Sequence, residues 1–404
     1  MSRVILGDIA ISQTGPFGSQ LHEEDYVSEG TPIVTVEHLG DINFTHQNLP
    51  FVSEADTKRL SKYILIEGDI VFSRVGSIDR NVYVDKNHEG WMFSGRCIRV
   101  RADKNKVNTR YLSYYFKQNS FKKMMMNLAV GATMPSLNTK IMNSIELDLL
   151  PRENQDKIAN ILSAIDDKIQ INNQINQELE AMAKTLYDYW FVQFDFPDQN
   201  GKPYKSSGGK MVYNPELKRE IPEGWGVEKL GDIAICHDSK RVPLSSNDRE
   251  LVKGKIPYYG ATGIMDYVND YIFDGDYVLM AEDGSVMTEK GTPILQRISG
   301  KNWVNNHAHV LEPVKNHSCK LLMMLLKDVS VMQIKTGSIQ MKINQENMNK
   351  IVVPAIPLEL LFDINQKLEV IDKQQLNLIE ENKQLTQLRD WLLPMLMNGQ
   401  VKVE

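Results

Sequence analysis

The densest group of metal-type side chains is His307, His309, His317 and Cys319, an H-x-H…H-x-C pattern. Imidazole and thiolate suit zinc, but the spacing matches no common zinc module. Alternating strand histidines more often face a polar surface or nucleic acid, so no metal is expected. Metal-dependent strand cleavage has one foothold: Pro197-Asp198 followed by Glu216-Leu217-Lys218 superficially follows a Pro-Asp…Glu-x-Lys pattern. Such sites hold carboxylates on adjacent strands to clamp the metal. Here both pieces fall in a Gly/Pro/Ser-rich stretch that reads as a linker with no strand on either side. Methyl transfer to a base amino group calls for Asn/Asp-Pro-Pro-Tyr/Phe, whose aromatic stacks on a flipped base. The nearest string, Asn214-Pro215-Glu216-Leu217, lacks the second proline and the aromatic. There is no Walker loop and no G-x-S-x-G. Gly260-Ala261-Thr262-Gly263 reads as a turn and Met124-Met125-Met126 as core or interface filling. No catalytic residue is assigned.

What must position such side chains is a large chain. Its 404 residues imply two to four domains. With 42% apolar and 24% charged residues it is neither a disordered chain, a collagen-like fibre nor a disulfide scaffold. The longest apolar run, Leu321 to Leu326, is far below the ~20 residues of a membrane span, and no secretory leader opens the chain. Three separated cysteines, Cys97, Cys236 and Cys319, fit a reducing, cytoplasmic setting. The net charge of −6, taken as a total, argues against nucleic acid, but its distribution points the other way. Residues 151–190 carry four Lys/Arg against seven Asp/Glu, and 357–404 carry five against eight; every other segment balances. Between Arg96 and Lys123 stand nine cations, among them Arg99, Arg101 and Lys122, against one acid, Asp103. Between Lys290 and Lys350 stand nine against three. Two basic faces on an acidic frame form an electrostatic footprint for DNA.

An internal repeat organises the chain. Leu6-Gly7-Asp8-Ile9-Ala10 recurs 224 residues later as Leu230-Gly231-Asp232-Ile233-Ala234. Gly68-Asp69, opening an apolar strand and leading to Gly76-Ser77, recurs as Gly275-Asp276 leading to Gly284-Ser285. Later the offset is 206: Gly131, Asn138, Met142, Asn143, Ile145 and Pro151 match Gly337, Asn344, Met348, Asn349, Ile351 and Pro357. The first copy therefore has 18 extra residues. Strands are expected at 69–74, 82–85, 97–101, 277–280 and 303–310, and helical stretches at 109–126 and 317–332.

Each copy then runs into a long helix. Ile158, Leu162, Ile165, Ile169, Asn172, Asn176, Leu179, Ala183, Leu186 and Trp190 keep a 4,3 spacing, and Leu361 through Leu396 keep the same one. That is a heptad seam. A lone helix of this length needs a partner for its apolar stripe, and the other copy supplies one. Asn176 and Asn382 hold equivalent seam positions, with Asn172 one step earlier. Buried Asn fixes register at a cost in stability. The expected layout is a mixed domain at 1–150, a long helix at 151–190, a linker at 191–224, a second mixed domain at 225–356, a second long helix at 357–397 and a tail at 398–404. The fold class is α+β: two pseudo-repeated mixed α/β domains joined by two long helices that pair along their seams.

Phe194-Asp-Phe-Pro, Asn200-Gly-Lys-Pro-Tyr-Lys-Ser-Ser-Gly-Gly and Ile221-Pro-Glu-Gly-Trp-Gly-Val-Glu-Lys-Leu-Gly-Asp-Ile are together similar to the centre of specificity subunits of type I DNA restriction–modification enzymes. So are Ile256-Pro-Tyr-Tyr-Gly-Ala-Thr-Gly and Val304-Asn-Asn-His-Ala-His-Val, and the resemblance spans essentially the whole chain. It implies that each variable domain is a target recognition domain reading half of a split site in double-stranded DNA. It implies that the two helices form an antiparallel coiled coil that serves as a spacer and docks two modification (adenine N6-methyltransferase) subunits, with restriction/translocase subunits completing the complex. The chain itself would need no cofactor; S-adenosylmethionine, ATP and Mg2+ would belong to the partners, and no membrane is involved. The first copy departs from the pattern, with Phe93-Ser94-Gly95-Arg96-Cys97 in place of Asn305-Asn306-His307-Ala308-His309. A duplicated coiled-coil scaffold or adaptor for protein partners is the other class the residues allow; a gel shift with a modification subunit present would separate the two.

Base-reading chemistry is expected on the loop after each Gly-Asp strand. The first copy offers Ser73, Arg74, Ser77 and Arg80 there. The second offers Glu282, Asp283, Ser285, Thr288 and Lys290, with Asn306, His307 and His309 nearby. Arg pairs bidentately with guanine, and acids accept from cytosine N4. Arg96, Arg99, Arg101, Lys122 and Lys123 supply the positive face of the first copy. Because the two loops differ, the two half-sites should be unrelated in sequence.

Overall fold

The computed structural model describes residues 2–129, 135–337 and 341–401, so Gly131 of the repeat lies outside the described residues. The chain forms two compact units, one of residues 1–173 with 380–404 and the other of residues 174–379. Each contains one copy of the repeat and part of each long helix.

In the first unit the repeat is closed by pairing its own ends. Ser2–Ile5 lies antiparallel to Glu146–Leu149, and the turn Leu6–Ile9 follows with Leu6 fully buried. The central antiparallel sheet runs Ala10–Thr14, Cys97–Ala102, Ile70–Ser73, Asn81–Tyr83. Its middle strands are β-branched and buried on both faces, with Ile70, Val71, Ile98 and Val100 excluded from solvent, as strands covered on two sides must be. One face packs on a cluster built with Tyr111, Phe116 and Met142, the other on a smaller β-layer containing Ile33, Val52 and Phe93. The expected helix at 109–126 is two, Thr109–Lys117 and Asn119–Leu128, broken where Gln118 turns extended.

The second unit repeats the scheme. Gly226–Lys229 pairs with Val352–Ala355, and the turn Leu230–Ile233 follows. The core strands Ala234–Cys236, Ala308–Pro313 and Phe273–Ala281 stand side by side in a six-stranded sheet. The stretch expected as one strand at 303–310 ends one strand, Leu295–Val304, and begins another, Ala308–Pro313. Gly275-Asp276 lies inside the strand Phe273–Ala281 rather than opening it. Sixty residues separate Ala10 from Ile70 and forty-four separate their counterparts Ala234 and Val278, which locates most of the extra length of the first copy. The linker is more structured than its composition suggests. Met211–Asn214 and Arg219–Pro222 form a hairpin, and the Phe196 ring stacks on both Tyr204 and Trp225. Asp198 caps a turn, accepting from the backbone N–H of Asn200 and of Lys202.

The two helices span Arg152–Tyr187 and Leu358–Met397. Within the first unit they run antiparallel: Asp166 meets Arg389 at 3.1 Å and Asn172 meets Asn382 at 2.9 Å. Asn172 is fully buried; its Nδ2 donates to both Asn382 Oδ1 and Glu381 Oε2, and Asn382 Nδ2 donates to Asn173 Oδ1. Within the second unit, Gln375 donates to the Asn176 carbonyl, and Lys320 bridges Gln375 and Glu180. Asn176 Oδ1 is buried without a partner among the described residues.

Candidate nucleic-acid interface

In the first unit the strand Ile70–Ser73 delivers the chain into a loop that returns as Asn81–Tyr83. Gly76 turns it with φ +77, a conformation that disfavours any side chain, and Gly284 does the same in the second unit with φ +73. Ile78 anchors the loop in the core, leaving Ser77 and Arg80 exposed. Arg80 and Lys122 line a polar cleft of roughly 730 Å³ with Asp79, Asn81, Lys117 and Asp166. Burial in that cleft lowers the Lys117 ammonium to about 8. Lys123 is exposed on an adjoining groove with Asp79 and Lys122, and Arg96 is exposed on the loop before Cys97.

Four of the expected contacts in this unit are committed inside the fold instead. Ser73 is fully buried and its hydroxyl donates to the Val75 carbonyl. Arg99 is 5% exposed; its guanidinium donates to the carbonyls of Lys62 and Ile64 and to Gln13. Arg101 clasps the fully buried Asp69 with two bonds of 2.7 and 2.6 Å. Arg74 donates to the carbonyls of Leu137 and Gly95, at 3.3 and 3.2 Å. Ser73 and Arg99 are buried as well as paired, whereas Arg74 and Arg101 are half-buried; a donor already paired gains little from a base that would break the pair. Of the expected contacts in this unit, Ser77, Arg80, Arg96 and Lys123 stand exposed and Lys122 half-buried.

In the second unit Ser285, Thr288, Lys290, Asn306 and His307 are exposed, and Asp283 is half-buried beside them. Asp283 and His307 come together at 2.5 Å across the two loops. His309 is corrected from the expected contacts, because it is 1% exposed and faces inward. Its Nδ1 lies 2.5 Å from Asp238 and its Nε2 lies 2.8 Å from the Ile343 carbonyl. Arg241 links the same Asp238 to Glu282, and Lys342 also pairs with Glu282. Burial would raise both carboxyls, but it is outweighed: chiefly by His309 at Asp238 and chiefly by Lys342 and Arg241 at Glu282, so both lie below their ordinary values. Among the described residues Cys236, Asp238 and His309 are the group of metal-type ligands, their donor atoms within 4.8 Å of one another. The cations Arg241 and Lys342 already balance the carboxylates there, which makes the group an ion-pair hub. His317 bonds the Val314 carbonyl and is not part of this group. Asp238 and Arg241, the centre of the hub, had no signal in the sequence, since only the strand register brings 238 beside 309.

The model of the type I restriction modification DNA specificity domain matches residues 2–181 and 222–387. The chain therefore belongs to that family, as a specificity subunit of a type I restriction–modification system, the DNA-recognition and not the catalytic component. It is 25% identical to the type I restriction enzyme MjaIX specificity subunit of Methanocaldococcus jannaschii, with 94% of this chain and 89% of that one covered. It is 23% identical to the HindI specificity subunit of Haemophilus influenzae, over 92% and 95% of the two chains. The crystal structure of the type I restriction-modification S subunit from M. genitalium shares the fold, with a TM-score of 0.56 at 16% identity over 100% of this chain and 96% of that one. No helix among the described residues is long and apolar enough to cross a membrane.

Proposed function

We propose that each unit reads one half of an asymmetric, bipartite site in double-stranded DNA. The observation that carries this reading is that two copies of one strand scheme present different exposed side chains at corresponding loops. Beside the shared Ser77 and Ser285, Arg80 and Arg96 stand exposed on one copy, and Thr288, Asn306 and His307 on the other. In this reading Lys122 and Lys123 meet phosphate, which positions a protein without specifying sequence. The long helices present the docking surface for two adenine N6-methyltransferase subunits, and restriction/translocase subunits join that complex. S-adenosylmethionine serves the methyltransferases; ATP and Mg2+ serve the translocase. The test is methylation of a DNA library by the chain alone, by the modification subunits alone, and by the two together. Sequence-specific adenine methylation is expected only from the combination. Methylation at the same sites without this chain would overturn the reading.

A further inference from the structure

The two copies meet one structural requirement with different side chains. Arg74 follows the strand Ile70–Ser73; its N–H donates to the Arg96 carbonyl, and its carbonyl accepts from Leu137. Glu282 follows the strand Phe273–Ala281; its N–H donates to the His307 carbonyl, and its carbonyl accepts from Ile343. The ladders agree, with Ser73 opposite Cys97 and Ala281 opposite Ala308. Arg74 and Glu282 are thus the same position of the repeat with opposite charge. In each copy three segments meet there: the start of the candidate reading loop, the turn before the next core strand, and a later strand-like segment.

In the first copy one guanidinium joins the other two segments, through Gly95 and Leu137. Glu282 cannot donate, and in the second copy other side chains hold the two segments. Arg241 donates at 2.7 Å to the carbonyl of Ala308, which lies two positions beyond the counterpart of Gly95, and the His309 ring meets the Ile343 carbonyl. Glu282 and Asp238 hold Arg241 in place, at 2.7 and 3.2 Å. The exposed candidates sit on the tethered pieces. Arg96 adjoins Gly95, and His307 adjoins Ala308.

We propose that Arg74 and Arg241 are positioning residues for DNA recognition. Each locks the reading loops of its own unit together and acts through its neighbours rather than on a base. This rests on the bipartite reading above. A guanidinium offers several donors in a rigid plane, so it can fix two segments at once where an ammonium acts as a point charge. Base discrimination needs aligned, often bidentate bonds, whereas attraction to phosphate tolerates small displacements. Loosening the tether should therefore erode discrimination before it erodes affinity.

The test uses the full chain assembled with its modification subunits. Methylation rates are measured on the preferred duplex and on duplexes with single substitutions in each half-site, together with the salt dependence of binding. Arg241→Ala should lose ~10-fold of the discrimination in one half-site only, the scale of a single base contact. Arg74→Ala should do the same in the other half-site only. Salt slopes should stay unchanged, because no phosphate contact is lost. Arg241→Lys, which keeps a cation between Asp238 and Glu282, should show the same half-site-restricted loss if the alanine variant does not fold. Combining Arg241→Ala with Glu282→Arg installs the first copy's solution and should restore discrimination. Equal weakening on every duplex with discrimination intact would make these arginines merely structural and overturn the proposal. A salt slope lower by about one would overturn it too, as the mark of direct phosphate contact. Absence of sequence preference in the unsubstituted complex would instead overturn the bipartite reading itself.

Discussion

Arg101 shows how far a charged residue can be read before its partner is known. The cluster from Arg96 to Lys123 is visible as charge, but the sequence does not show which cations are spent inside. Strand alternation puts 99 and 101 on one face of Cys97–Ala102, yet that the face meets Asp69 and the carbonyls of Lys62 and Ile64 follows only from tertiary pairing. His309 escaped in the same way, since Asp238 lies 71 residues away. Arg101→Ala is expected to cost at least ~1–3 kcal/mol, because it strips a buried carboxylate of its cation. Arg80→Ala and Arg96→Ala should stay within ~0.5 kcal/mol of the parent, as exposed substitutions do, while weakening DNA binding. Urea unfolding paired with a binding assay measures both. Unaltered stability of Arg101→Ala would mean that the Asp69 pair contributes little.

The long helices were the most legible elements, because a sustained 4,3 spacing leaves few other structures open. The seam buries Ile158, Leu162, Leu179, Ile364 and Leu368. Less legible was how the seam polar residues would pair. Asn382 faces Asn172 and Asn173, whereas its repeat equivalent Asn176 is bonded, among the described residues, through its backbone carbonyl to Gln375. The pseudo-repeat gives like residues unlike partners, which no single-helix pattern can reveal. The hairpin within 211–222 was also missed: its strands are four residues each, too short for an alternation to stand out from a Gly/Pro-rich background. Asn172→Ala removes the donor to Asn382 Oδ1 at a buried position and should cost ~1–3 kcal/mol. Thermal unfolding of the assembled and free chain checks it. A midpoint equal to the parent's would mean that water replaces the lost donor without penalty.

At the scale of the molecule, helix length is the quantity to vary. Seven residues added to both helices, between Asn176 and Leu179 and between Asn382 and Leu385, keep the seam in phase and lengthen each helix by ~10.5 Å. The unread gap of the DNA site should grow by ~3 base pairs, with activity reduced by the accompanying rotation of about a third of a turn. Two residues added to one helix alone should break the seam and abolish assembly. A fully active heptad variant with its original gap would show that the helices do not set the spacing. The duplication behind this design was legible from the shared ends of the copies, at offsets of 224 and 206. The target was not legible, since which base each exposed side chain meets depends on docking geometry. The central claim is that one chain reads two unlike half-sites. Its most direct test is to map methylated adenines across the genome of cells expressing this chain with its modification subunits. The account predicts one motif made of two unrelated half-sites separated by a fixed unread gap. A palindromic motif, or methylation without a motif, would contradict it.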